Sequence, residues 1–129
     1  MRISDMVADM RTTKRRELAG QIVEDEYARK GLTREQAAAR MQMSPSTLDR
    51  VRDGDIRITR PKLLSVEGVL EMPDGLLTYI IEGNIAAIDA IGEAEMRPGL
   101  RRVIMAGLAR IAEEEVNGHG SKNKNRKAL

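Results

Sequence analysis

The sequence has no cysteine, tryptophan or phenylalanine, and its only aromatic side chains are Tyr27 and Tyr79. Without cysteine neither a disulfide nor a thiolate metal site can form, and a reducing compartment fits by default. So few rings argue against reading single strands or RNA loops, which leans on base stacking. The single histidine, His119, lies between two glycines in a polar tail, a poor setting for acid–base or metal chemistry. No carboxylate cluster or glycine-rich phosphate loop occurs at a useful spacing. An enzyme is therefore not expected, nor is a metal, a cofactor or a small-molecule ligand. No apolar run reaches membrane-spanning length and the N-terminus lacks a signal-peptide core, so no membrane partner is expected and the cytoplasm of a bacterium or phage-infected host is.

What is present suits one domain with an appended element: 129 residues, 41% hydrophobic, with a net charge of only +2. The charge is unevenly spread: residues 1–60 carry +3, residues 61–116 carry −5 and residues 117–129 carry +4. Basic groups thus gather in the first half and the tail. A mild overall charge suits a protein that must leave non-specific DNA readily.

The most informative segment is Thr33 to Gly54, which reads as two short helices joined by a tight turn, the layout of a helix-turn-helix. Thr33 is an N-cap, and Gln36 three residues on completes a capping box. Ala37, Ala38 and Ala39 favour helix and let another helix cross closely. Ser44 is a second N-cap, followed by Pro45 at the first helical position. Met41, Leu48 and Val51 then point inward, Ser46, Asp49, Arg50 and Asp53 point outward, and Gly54 ends the helix.

Elsewhere, Met1 to Thr13 is either a short helix, capped by Ser4 with Ile3, Met6, Val7 and Met10 on one edge, or a frayed arm. Lys14 to Lys30 is a helix burying Leu18, Ile22, Val23 and Tyr27, closed by Gly31 and Leu32. Arg60 to Leu70 is another, with Pro61 in its first turn and Leu63, Val66 and Leu70 inward. After Pro73, Asp74 is expected to cap a helix carrying Leu76, Leu77, Ile80 and Ile81. Asn84 can cap Ile85 to Ile91. Pro98 opens a helix reaching about Val116, whose stripe of Leu100, Val103, Ile104, Gly107, Leu108 and Ile111 must bury itself against something. It either folds back on its own domain or forms a dimer seam with the same helix of a second copy. Residues 118–129 read as a disordered basic tail.

The run Leu32 to Gly54, continuing through Ile58 to Leu77, resembles the DNA-binding core of the Cro and repressor family of phage and bacterial regulators, the XRE family. The resemblance covers roughly residues 14–82. It implies an all-α fold: a five-helix Cro/repressor-like helix-turn-helix domain over 14–83, preceded by the arm or helix at 1–13 and followed by C-terminal helices over 84–117. One departure is Gln42 at the turn position that usually holds glycine, where positive φ is costly for other residues.

The second helix would then read bases in the major groove. Arg50 can reach guanine O6 and N7, Ser46 a base edge or phosphate, and Pro45 and Thr47 a thymine methyl. Asp49 can accept from a cytosine amino group or orient Arg50. By resemblance Arg34 and Ser44 hold phosphates; Arg57, Arg60 and Lys62 flank the reading helix and would grip the backbone. A module this small needs two copies on half-sites about one turn apart, so a homodimer on an inverted-repeat operator is expected. The expected role is a transcriptional repressor of the phage immunity type. About 45 residues follow Asn84, too few for the self-cleaving domain of larger repressors, so inactivation by self-cleavage is not expected. Two alternatives stay open: an antitoxin whose acidic 61–116 segment meets a basic toxin, or a protein-interaction module that no longer contacts DNA.

Overall fold

Every regular element among the described residues is a helix: α1 (Ile3–Ala8), α2 (Thr12–Arg29), α3 (Arg34–Arg40), α4 (Pro45–Arg52), α5 (Arg60–Leu70), α6 (Leu76–Glu82), α7 (Ile85–Ile91) and α8 over 98–111. The computed structural model describes residues 2–55, 58–92, 95–111 and 113. The expected basic tail, His119, and the continuation of the last helix to Val116 lie outside them. No helix among the described residues is long and apolar enough to cross a membrane.

The eight helices share one apolar core, to which each contributes at least one buried side chain, from Ile3 in α1 to Ile111 in α8. At its centre lies α2, the longest helix among the described residues, which packs against α4, α5 and α6 and buries Leu18, Ile22 and Val23 completely. The core continues across residue 83 without a break, so the expected division into a 14–83 domain and an 84–117 appendage marks no boundary in packing.

At the N-terminus the helical alternative holds, with one correction. Arg2 rather than Ser4 is the N-cap residue of α1. Ser4 instead lies within the helix, 2% exposed, and donates its hydroxyl proton to Asp89 Oδ1 of α7. Ile3 and Val7 are fully buried against the same neighbour, which covers the apolar edge an isolated arm would leave wet.

A common closure ends α2 to α6. In each the residue after the C-cap, or the C-cap itself, enters the left-handed region, and the next N–H bonds back five residues: Leu32 to Tyr27, Met43 to Ala38, Asp55 to Arg50, Met72 to Glu67 and Asn84 to Tyr79, all at 2.9–3.0 Å. These are Schellman closures, which satisfy carbonyls the helix leaves orphaned. Glycine takes the left-handed position in three of them; Gln42 (φ 56°) and Glu71 (φ 58°) take it in the other two.

Asp74 does not cap α6. Glu67 of α5 does: its two carboxylate oxygens accept from the N–H groups of Gly75 and Leu77, both at 2.7 Å. Glu67 is fully buried, and burial pushes its carboxyl above the ordinary range despite the two backbone donors.

The stripe on α8 folds back onto its own chain. Leu100 and Ile104 are fully buried and Leu108 and Ile111 nearly so, while Val103 is half-buried. A Cβ on Gly107 would stand 3.0 Å from Leu18 Cδ1, so α8 lies closely along α2. Of the two alternatives for this stripe the structure has the fold-back one for Leu100, Ile104, Gly107, Leu108 and Ile111, with Val103 left half-buried. Just before α8, Arg97 fastens the segment: it donates to the fully buried Glu26 of α2 and to the carbonyls of Leu70 (3.0 Å) and Glu71 (3.3 Å).

Candidate nucleic-acid interface

The pair α3–α4 is built by the local signals that define it. Thr33 Oγ1 accepts from the Gln36 N–H at 3.1 Å and Gln36 Oε1 accepts from the Thr33 N–H at 2.9 Å, a complete capping box. Ser44 Oγ accepts from the Thr47 N–H at 3.1 Å, with Pro45 in the first helical turn. Met41, Leu48 and Val51 are buried in the shared core, α3 packing on α4 and α4 on α2; Ala37 and Ala38 are buried and Ala39 is exposed. Gln42 makes the turn, and Lys62 Nζ of α5 donates to its carbonyl at 3.4 Å.

Close approach of α2 to α4 depends on two glycines. A Cβ on Gly20 would fall 1.7 Å from the Arg52 carbonyl oxygen, so the helices meet backbone to backbone. Gly54 has φ 77°, and a Cβ there would be 2.6 Å from that of Arg16. An isolated glycine inside a helical pattern signals such an approach, and Gly20 was the cue available in the sequence.

Along α4 the outward face is open. Ser46 and Arg50 are exposed, and Pro45 and Thr47 are half-exposed at the leading end. Ser44 is exposed but committed: beyond its cap bond, its hydroxyl lies 2.9 Å from that of Thr47. Arg50 Nε donates to Asp55 Oδ2 at 3.0 Å, and 47% of its side chain remains accessible.

Two expected contacts are instead partners of each other. Arg34 Nε and Nη2 donate to Asp49 Oδ1 and Oδ2 at 2.8 and 2.7 Å, and Arg34 Nη1 lies 3.1 Å from Glu35. These bonds hold the Asp49 carboxyl below its ordinary range and raise Arg34 above its own. Asp49 therefore does not orient Arg50; Asp55, a residue sequence reasoning overlooked, does. Arg52 adds a third charge near Asp49, 3.5 Å away, and reaches Glu24 at 3.6 Å.

On the flank beyond α4, Arg60 is exposed and sits over the Tyr79 ring, 5.9 Å from its centroid. Lys62 is half-buried beside the α3–α4 turn. Arg57 lies outside the described residues. The arrangement is a rigid surface helix with one exposed arginine and small polar groups, edged by Arg60 and Lys62, and it can donate hydrogen bonds to an acceptor-rich groove. No family model, curated protein or solved structure matches the chain.

Proposed function

We propose that the protein is a sequence-specific regulator that binds double-stranded DNA, acting as a repressor, with α4 seated in the major groove and α2–α6 forming a five-helix unit of the Cro/repressor kind. The observation that carries this reading is the sidedness of α4: Leu48 and Val51 are buried while Ser46 and Arg50 are exposed on a helix capped at Ser44. An α-helix held rigidly by its inner face, with donors on its outer one, matches what the major groove admits. Arg50 exchanges Asp55 for guanine O6 and N7, Ser46 and Thr47 meet neighbouring base edges or methyls, and Arg60 and Lys62 meet phosphates. Arg34 serves as the brace that holds Asp49, and so the pitch of α4. Two copies on an inverted repeat give the length of site a regulator needs, through a surface other than the α8 stripe.

Selection of bound fragments from random DNA, followed by footprinting, tests the proposal. A palindromic consensus is expected. Arg50→Ala should cost about 1–3 kcal/mol at that consensus and relax one base position per half-site. No enrichment, together with no retention of DNA at low salt, would overturn it.

A further inference from the structure

We infer that a second copy of this chain docks on the solvent face of α5, with the two α5 helices antiparallel about a two-fold axis. The exposed residues of α5 and its C-cap are Arg60, Pro61, Leu64, Gly68 and Glu71. Arg60, Leu64, Gly68 and Glu71 follow one another at intervals of four, four and three, so they form one stripe. The stripe is basic at its start, uncharged through its middle and acidic at its end. In a chain with 33% charged residues, the only charge between Lys62 and Glu71 is Glu67, which is buried. Leu64, at 36%, is the one exposed large hydrophobic side chain among the described residues.

Gly68 points to what covers this face. A glycine inside a helix weakens it, so its presence calls for a reason. Gly20 and Gly107 have one: a Cβ on them would stand 1.7 Å from the Arg52 carbonyl oxygen and 3.0 Å from Leu18 Cδ1. A Cβ on Gly68 would meet nothing within 4 Å, so no neighbour in its own chain requires glycine there. A second α5 laid antiparallel does. With the two-fold axis beside Val66, Leu64 of each copy enters the notch at the partner's Gly68. The same axis brings Arg60 of each copy to the end of the other that carries the partner's Glu71. Glu71 is 67% exposed and gives Lys30 one oxygen at 3.1 Å, which leaves its other oxygen for a second cation. Arg60 keeps donors for a phosphate as well, since a guanidinium has five. A self-complementary patch with an apolar centre and a charged rim is what a two-fold dimer uses. A parallel pair would instead set like charges together at both ends. This surface supplies the pairing that the DNA reading calls for and rests on that reading for its purpose alone, because the contact forms without DNA.

Sedimentation equilibrium of the full chain without DNA tests the inference. A monomer–dimer equilibrium is expected, with a dissociation constant of about 10–100 μM for so small a contact. Gly68→Gln should weaken it about tenfold while raising the melting temperature of the dilute chain, since glutamine is the better helix former and meets no neighbour. Opposite signs on the two readouts separate a filled notch from a damaged fold. Arg60→Glu and Glu71→Lys should each self-associate more weakly than the native chain. An equimolar mixture of those two variants should recover, because each then meets its opposite charge at both ends. A native chain still monomeric at about 1 mM overturns the inference. So does native self-association in Gly68→Gln, or charge variants that associate as well as the native chain. DNA retention by a strictly monomeric chain sinks this inference alone, whereas a dimer that retains no DNA sinks the DNA reading alone.

Discussion

Arg34 and Asp49 join α3 to α4 through a two-bond fork, Nε to Oδ1 at 2.8 Å and Nη2 to Oδ2 at 2.7 Å. Both side chains are partly accessible, so the fork contributes more to the angle between the helices than to stability. Arg34→Ala and Asp49→Ala should each lower the melting temperature slightly, and the double variant by less than the sum. For DNA binding, Asp49→Asn should weaken a preferred site as Arg34→Ala does, without a lower salt slope. A salt slope reduced by about one for Arg34→Ala alone would instead make it a phosphate contact.

Gly20→Ala should be severe. The added methyl would stand 1.7 Å from the Arg52 carbonyl oxygen, and backbone cannot step aside as a flexible side-chain tip can. Separating α2 from α4 should cost about 3 kcal/mol, visible as a lower urea midpoint. A shift within experimental error would mean the two helices are farther apart than described.

Gln42→Gly should stabilise. Gln42 has φ 56°, a conformation that costs a side chain about 1 kcal/mol and glycine nothing. Part of that gain is returned through the freer unfolded chain, leaving about 0.5 kcal/mol in equilibrium unfolding. The Lys62 bond to this residue uses the backbone carbonyl and survives the change.

Two buried carboxylates pull stability in opposite directions with pH. Burial works to raise the Glu26 carboxyl, but hydrogen bonds from Arg29 and Arg97 outweigh it and leave it below the ordinary 4.5. The unfolded chain then takes up this proton first, so the Glu26 contribution is intact above pH 4.5 and is lost as pH falls through the folded value. Glu67 is raised, so its contribution is intact below pH 4.5 and is lost as pH rises through its folded value. Arg97→Ala should cost about 3 kcal/mol near neutrality and shrink the acid-side loss, because Glu26 loses one of the donors that hold it ionised. Glu67→Gln should flatten the decline on the other side. Urea unfolding at a series of pH values separates the two.

The legible parts of this chain are those whose cause lies within one helical turn. The Thr33–Gln36 box, the Ser44–Pro45 start of α4, the Asn84 cap and the apolar spacing of α2 and α5 each rest on residues three or four apart, and the structure has each where the spacing predicts. What spacing cannot convey is a partner far along the chain. Glu67 and Asp74 are both acidic residues near the start of α6, and only the path of α5 decides that the more distant one caps it. Arg97 meets Glu26 across 71 positions, and nothing local distinguishes it from a solvated surface arginine. At the candidate interface the exposed positions of α4 followed from the helical period, whereas the pairing of Arg34 with Asp49 and of Arg50 with Asp55 depends on how the helices cross.

The seating of α8 beside Leu18 bears on how the chain is made. Synthesis delivers α2 some ninety positions before Gly107, the residue that comes to lie against Leu18. Until then the side of α2 that α8 will cover stays greasy and open, and a chain cut short before α8 is left prone to clumping and proteolysis.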